Sequence, residues 1–491
     1  MKYLFIVISV GLVAASALTF FSFSEKQNDR PVLRWMTGVN PVREKQAELF
    51  EQWMIDNGYP AVELRIEGPK KTQKNIVQGV SGVAGDIFDC YYGEINLFQS
   101  IGLLEDVTDA AEEMGFGLSE TYAGVWSDLA IDGRQYGFPR CVDTFVCWAN
   151  VEAFEKVGLS APPAVWTLEE FERIGAQYVD LSNRPGEHQT VYFSTQWGLF
   201  ATTTLLRSMG VDIYNETMTG SYLDKPEARE LYATVYRWVN DLNLIPTAAE
   251  SKALSSQSSR TDKGVIYLFS QGNFGLIFAG RYATLYFREI GPKKLSISEY
   301  PHKAYRNAIS FARSSAVYKG SKHKDLAVYF LKFMASDVYN KEIAENPDGL
   351  PPSPKFAYGE AFSHPEEYPN EWGLHDQIRD VVNEIGISFS YSPYLQMSTL
   401  IRKERNAMDS FLADRISVEE ALSELALSIE TDMVRFTSES EKLKVKYAKQ
   451  VQDQKEIERL RREGKMVPLY LITNPFYRRY YVDKGWSLPE G

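Results

Sequence analysis

Aromatic rings and short polar side chains fall close together at several points of this 491-residue chain. Trp35 precedes Asn40; Tyr91 and Tyr92 precede Glu94; Asp143 precedes Thr144. Trp197 and Arg281 lie further along, followed by Trp372, Tyr391 and Tyr394. A neutral polyol ligand asks for such a mixture, because its hydroxyls need paired donors and acceptors once desolvated while its C–H faces pack on flat rings. Asp143 is a charge inside the apolar run Cys141 to Trp148, and it requires either a buried partner or a ligand hydroxyl. Tyr91 and Tyr92 cannot face the same way in an extended chain, so one of the two is structural. Trp148 alternates within the strand that carries Asp143 and reads as core. Arg281 suits an anionic ligand or an acidic neighbour, and Trp372, Tyr391 and Tyr394 enter on composition alone. Glu94 and Asp143 also allow a rival reading, the paired carboxylates of a secreted glycan-processing enzyme, which stand about 5–9 Å apart across a sugar-binding cleft. Against it, the chain has no nucleophile elbow, no Walker lysine loop and no zinc-type His pair, so no catalytic residue, metal or cofactor is expected.

These residues need strands and helices to hold them. Val32–Met36 reads as a strand, 44–53 as an amphipathic helix and 62–66 as a second strand. That β-α-β opening predicts a parallel sheet whose ligand side lies at the carboxyl ends of the strands, where Trp35 falls. A third strand over 86–90 runs straight into Tyr91, Tyr92 and Glu94, and a helix then ends at Gly102. From Gly137 to Trp166 an apolar strand ends in Asn150, a short helix follows, and Pro162-Pro163 sets Trp166 ahead of an acidic helix. A chain leaving one α/β lobe and entering another reads this way.

Length and composition set the outer bounds. A single hydrophobic core serves about 250–300 residues, so this chain requires at least two. Aromatic residues make up 13% of it, a surplus that points to binding surface, and the net charge of −12 excludes the basic footprint of a nucleic-acid binder. The uncharged run from Tyr3 to Phe23 reads as an export segment. Ala15-Ser16-Ala17 would allow cleavage, yet the run could also span a hydrocarbon core of about 30 Å as an uncleaved anchor. Cys90, Cys141 and Cys147 lie in apolar context and read as small buried hydrophobes; Cys141 and Cys147 flank one strand, about 20 Å apart when extended, and cannot easily pair, whereas a Cys90 to Cys141 bridge is the sharper alternative in an oxidising compartment. From 439 to 463 the sequence is dense in Lys, Glu, Gln and Arg and reads as a solvated helix, and an aromatic-basic end follows. That end either straps back on the body or meets a membrane partner or lipid headgroups.

The ordered motifs resemble the family 1 extracellular solute-binding proteins of ABC importers, the maltose-binding-protein-like receptors. Gly102, Leu103, Leu104, Thr108 and Asp109 match the closure after the third strand; Tyr136, Gly137 and Pro139 precede the lobe-crossing strand; Asn150, Phe154, Gly158, Pro162, Pro163 and Trp166 follow it. Gly272 and Gly280, then Ser321, Lys322, Ala327, Phe330, Leu331 and Phe333, then Gly349-Leu350-Pro351-Pro352 and the stretch 416–422 continue the match in order. Gly275 stands where the family carries Ala. The resemblance implies a two-lobe α/β fold of the type 2 periplasmic-binding kind with hinge crossings. In it, 1–30 is a signal peptide or anchor, 31–142 with 304–336 is the first lobe, 143–303 with 337–435 is the second, and 436–491 is an added charged helical tail. It further implies capture of a small solute, most often a carbohydrate, by hinge closure with no covalent step, delivery to an ABC permease, and an extracytoplasmic location with possible membrane contact through either terminus. Trp197 falls, in order, where the family stacks an aromatic on its ligand. A membrane-anchored sensor using the same fold is the alternative. The transport reading places a solvent-filled groove where the Trp35 indole and the Asp143 carboxylate converge.

Overall fold

The opening unit forms as its hydrophobic spacing dictates. In the computed structural model, which describes residues 30–68, 72–257, 264–438 and 440–488, strand β1 (Val32–Met36) pairs in parallel with β2 (Glu63–Ile66). Between them runs helix α1 (Pro41–Asp56), where Pro41 fits a first turn that needs no N–H and the Asn40 side chain accepts from the Arg43 amide at 3.0 Å. Strand β3 (Ile87–Cys90) adds to the other side of β1, also in parallel, and helix α2 (Glu94–Ser100) follows it.

The long buried run then divides between two sheets. Strand β4 (Gly137–Thr144) belongs to the first sheet, and after the single residue Phe145 the chain continues as β5 (Val146–Asn150) in the second. That second sheet has the order β8-β5-β7-β6, with β6 at Tyr192–Ser194, β7 at Phe274–Ala279 and β8 at Leu295–Ser298. Strand β9 (Ala308–Val317) then returns to the first sheet as its spine. One edge of β9 pairs antiparallel with β4, while the other is shared, by β3 over Ser314–Val317 and by the parallel strand β10 (Gly386–Ser388) over Ala308–Ser310. The result is the two-lobe α/β architecture. Asp143 and Thr144 sit on the first sheet, paired with Phe311 and Ser310. So does β10, although 337–435 was expected in the second lobe: the first residues of β9 need a ladder partner on that edge, and β10 provides it.

Each sheet has its own apolar layer. Leu33, Trp35, Phe50, Phe138, Phe330 and Phe333 cluster against the first. Phe154, Trp166, Phe171, Phe193 and Trp238 cluster with Cys147 and Ala149 against the second. All three cysteines are buried free thiols, so the Cys90 to Cys141 bridge does not form.

Helix α3 (Leu199–Ser208) lies in the second lobe, and α4 (Met397–Phe411) and α5 (Val418–Ser438) pack there too. The tail continues as α6 (Glu441–Arg462), a two-stranded parallel ribbon of β11 (Val467–Pro468) with β12 (Ser487–Leu488), and α7 (Pro475–Asp483) between them. It straps back on the body. Ile457, Ile472, Phe476, Tyr477 and Tyr481 form one apolar cluster with Ile387 of β10, and Asn474 is buried with its amide donating to Asp212 Oδ2 at 3.1 Å. The export segment expected at 1–30 falls, but for Arg30, outside the described residues, and no helix among those described is long and apolar enough to cross a membrane.

Candidate functional site

A cavity of about 620 Å³ opens at the carboxyl end of β3, within the range of small-ligand pockets. One wall is the turn Tyr91-Tyr92-Gly93 with α2 and Thr72; the other is Tyr214, the loop residues 390–393 and 395–396, the start and first turns of α4 at Met397, Ser398 and Ile401, and Phe436. The turn is unusual for its sequence. Tyr92 (φ 44°) and Gly93 (φ 79°) are both left-handed, which reverses the chain directly after the strand and is strained at a tyrosine. Glu94 holds the reversal together, because one carboxylate oxygen accepts from the Tyr91 amide at 2.9 Å and the other from the Thr72 hydroxyl. Glycine at 93 is required for a second reason: a Cβ there would lie 2.6 Å from Cδ1 of Tyr391, whose ring rests on this turn. Three tyrosine rings, 91, 92 and 391, thus edge one cavity.

Beneath the cavity runs a chain of buried charges. Arg140 donates to the Tyr91 hydroxyl at 2.8 Å and to Asp348 Oδ2 at 3.0 Å; Arg43 reaches the same oxygen at 3.1 Å, and Arg313 donates to Asp348 Oδ1 at 2.9 Å. Burial pushes the Asp348 carboxyl up, but Arg313, Arg140 and Arg43 outweigh it and hold the group well below the usual carboxylate range. Asp143 receives the other arm of Arg313 at 3.0 Å. There burial wins, and the carboxyl is raised to about 6. This network fixes Tyr91 from behind, so the cavity wall is set by ion pairs far apart in sequence.

Of the expected site residues, Tyr91, Tyr92, Glu94 and Tyr391 line the cavity and the others do not. Trp35 is fully buried, its indole N–H donating to Asp89 Oδ1 at 2.9 Å and its ring 4.9 Å from Phe330. Asn40 is spent as a helix cap. Asp143 found its buried partner in Arg313, and the Thr144 hydroxyl donates to the Ile309 carbonyl at 2.9 Å. Trp35 and Asp143 are both buried, so the groove expected where they converge does not form; the cavity lies at the carboxyl end of β3 instead, and Asp143 does not face Glu94 across it. Trp197 packs among Phe171, Trp238 and Phe278 and donates to the Ser194 hydroxyl. Arg281 is neither an anion ligand nor paired with an acid: its guanidinium donates to the carbonyls of Ile343, Ala344 and Gly349 and to His375, and burial lowers its pKa to about 9. Trp372 lies on the surface, donating to the Pro365 carbonyl, and Tyr394 is buried against Tyr447 of the tail with its hydroxyl on Gln450. Sequence reasoning missed Tyr214, Met397, Ile401 and Phe436, which complete the far wall. The Ser/Pro/Tyr run 388–394 was the available signal for that wall, an irregular aromatic segment between two helices.

Residues 48–370 match the profile of the bacterial extracellular solute-binding proteins. The chain belongs to that family. Among solved structures, this member is similar to the ABC substrate-binding protein of Listeria monocytogenes in complex with cycloalternan, at TM-score 0.69 and 19% identity over 82% of this chain and 98% of that one. It is also similar to the sugar-binding protein MalE of Xanthomonas citri, at TM-score 0.68 and 15% identity, and to the GacH receptor of Streptomyces glaucescens, at 0.66 and 16%, with the same coverage of both chains. A binding protein of Brucella abortus (strain 2308) is 25% identical over 235 residues. The chain spans about half the length of the curated relatives it matches, 52% of that one.

Proposed function

We propose that this family member is an extracytoplasmic receptor that captures a carbohydrate in the cavity at the end of β3, closes on it, releases it unchanged, and hands it to an ABC import permease. The observation that carries the reading is that Tyr91, Tyr92 and Tyr391 all edge one cavity. Rings of this kind accept the C–H faces of a sugar, and Gln73, Asn96, Gln396 and Ser398 bring polar side chains to the same cavity. The first wall is drawn from 72–100 and most of the second from 390–436, so a ligand touching both favours the closed arrangement by its differential affinity. The division into lobes at 31–142 with 304–336 and 143–303 with 337–435 is proposed with β10 and the end of β4 reassigned to the first. Similar solved structures hold cycloalternan, maltose, acarbose and tagatose, which supports a carbohydrate and supplies the test panel.

The experiment is a thermal-unfolding screen with those four sugars. Saturation at 100 times Kd adds about 2.7 kcal/mol to stability, and Tyr391→Ala is expected to abolish the rise while leaving the unliganded protein folded. Failure of all four to shift the transition at millimolar concentration would refute the carbohydrate reading.

A further inference from the structure

The tail carries a surface that the ligand cleft does not use. In the ribbon of β11 and β12, Val467 stands opposite Ser487 and Pro468 opposite Leu488. Side chains alternate along a strand, so Val467 and Ser487 share one face while Met466, Pro468, Trp486 and Leu488 share the other. The inner pair is buried, at 1% and 9% exposure, whereas Met466, Trp486 and Leu488 are 44–45% exposed. A solvated ribbon turns polar side chains outward; this one turns out a thioether, an indole and an isobutyl group. Tyr480 and Tyr481 brace the indole edge-on, their ring centroids 5.6 and 5.7 Å away, so Trp486 cannot fold back on the body. Tyr470, 78% exposed, lies two residues beyond β11.

Cations border this face. Lys465 precedes Met466 and pairs with Glu463 at 2.8 Å, Lys484 lies two residues before Trp486, and Arg462 ends α6; Arg462 and Lys484 have no carboxylate partner among the described residues. Over 440–488 the chain has 12 Lys and Arg against 6 Asp and Glu, in a protein whose net charge is −12. Most of those cations along α6 and α7 pair with carboxylates, so the positive charge left beside the outward apolar face is that of Arg462 and Lys484.

We infer that this face docks on an anionic lipid bilayer, with Met466, Trp486 and Leu488 at the headgroup boundary and the cations on the headgroups. A stable protein interface takes about 20–30 residues a side, far more than four apolar side chains, whereas shallow interfacial binding needs only a few aromatic and aliphatic groups beside cations. The inference is independent of which solute fills the cleft.

Brominated-lipid quenching of tryptophan fluorescence tests it, with the full chain on vesicles of phosphatidylglycerol mixed with phosphatidylcholine. Wild type and Trp486→Phe carry the same N-terminal segment, so the difference between them isolates Trp486. Quenching of wild type well beyond that of Trp486→Phe is expected, together with a fall of about tenfold or more in vesicle affinity for Lys465→Glu/Lys484→Glu and a weakening at high salt. Equal quenching of the two proteins would overturn the inference. So would quenching that appears only with an ABC permease reconstituted in the bilayer, which would assign the face to a protein partner.

Discussion

Replacing Asp348 with Ala removes the carboxylate on which Arg43, Arg140 and Arg313 converge at 3.1, 3.0 and 2.9 Å. Arg140 is fully buried and would keep only Asp89, at 3.5 Å from its Nε, while Arg313 would keep Asp143 at 3.0 Å, so the substitution leaves buried positive charge in excess of its carboxylates. Breaking a buried pair from one side costs about 3–5 kcal/mol. At about 2.1 cal/mol/K of unfolding entropy per residue, a chain of this length loses about 3–5 °C in Tm for that amount. The pH dependence carries a sign. Because the arginines hold the Asp348 carboxyl below its unfolded value, its contribution is fully present above pH ~4 and is lost as pH falls through the folded value. Calorimetry of wild type and Asp348→Ala should therefore show the gap at pH 7 to 8, above the range in which Asp143 titrates, and its loss in acid below pH ~4. Asp348→Asn keeps an acceptor for one guanidinium and should fall between the two. A Tm for Asp348→Ala within about 1 °C of wild type at pH 7, or a gap that persists undiminished below pH ~3, would refute the account of the network.

Other perturbations test separate parts of the molecule. Asp128 is buried with Oδ2 accepting from the Ala312 amide at 2.8 Å and Oδ1 unpartnered, and burial raises its pKa to about 7; Asp128→Asn should stabilise by up to about 4 kcal/mol at pH 8, an advantage that shrinks on acidification and vanishes near pH 4 in denaturant titrations. Gly93→Ala places a methyl 2.6 Å from the Tyr391 ring at φ 79° and should cost about 2 kcal/mol or more in chemical denaturation while weakening any sugar that binds the cavity. Asn474→Ala removes a buried side chain that donates to Asp212 and accepts from Ser390 and the Phe476 amide; a loss of about 2–4 kcal/mol, with faster proteolysis in the tail, is expected.

The elements were far more legible than the site. Strand β1 lies where alternation puts it, β3 begins one residue after the expected 86–90, and α6 spans Glu441–Arg462 against an expected 439–463, because hydrophobic period and caps are local properties. The turn after β3 was legible for the same reason, since ligand sites of open α/β sheets gather at strand carboxyl ends. What the sequence could not reveal is which aromatic faces a cavity and which a helix. Trp35 stands at a strand end as expected, yet Phe330 and Asp89 receive it from elsewhere in the chain. The requirement that Asp143 have a buried partner was sound, but Arg313, 170 residues away, satisfied it in place of a ligand. Tyr394 likewise turned to the tail. Long-range partners decide these cases, and spacing along one sequence does not encode them.

With only Phe145 between β4 and β5, the two sheets are phase-locked. Val146 and Trp148 face one apolar cluster while Cys147 and Ala149 face another. One inserted residue at this point would exchange the two sets and turn an indole into the space of a thiol. Connections elsewhere are free to lengthen or shorten over generations, but the count of residues at this junction is fixed by parity, so length variation among relatives should avoid it.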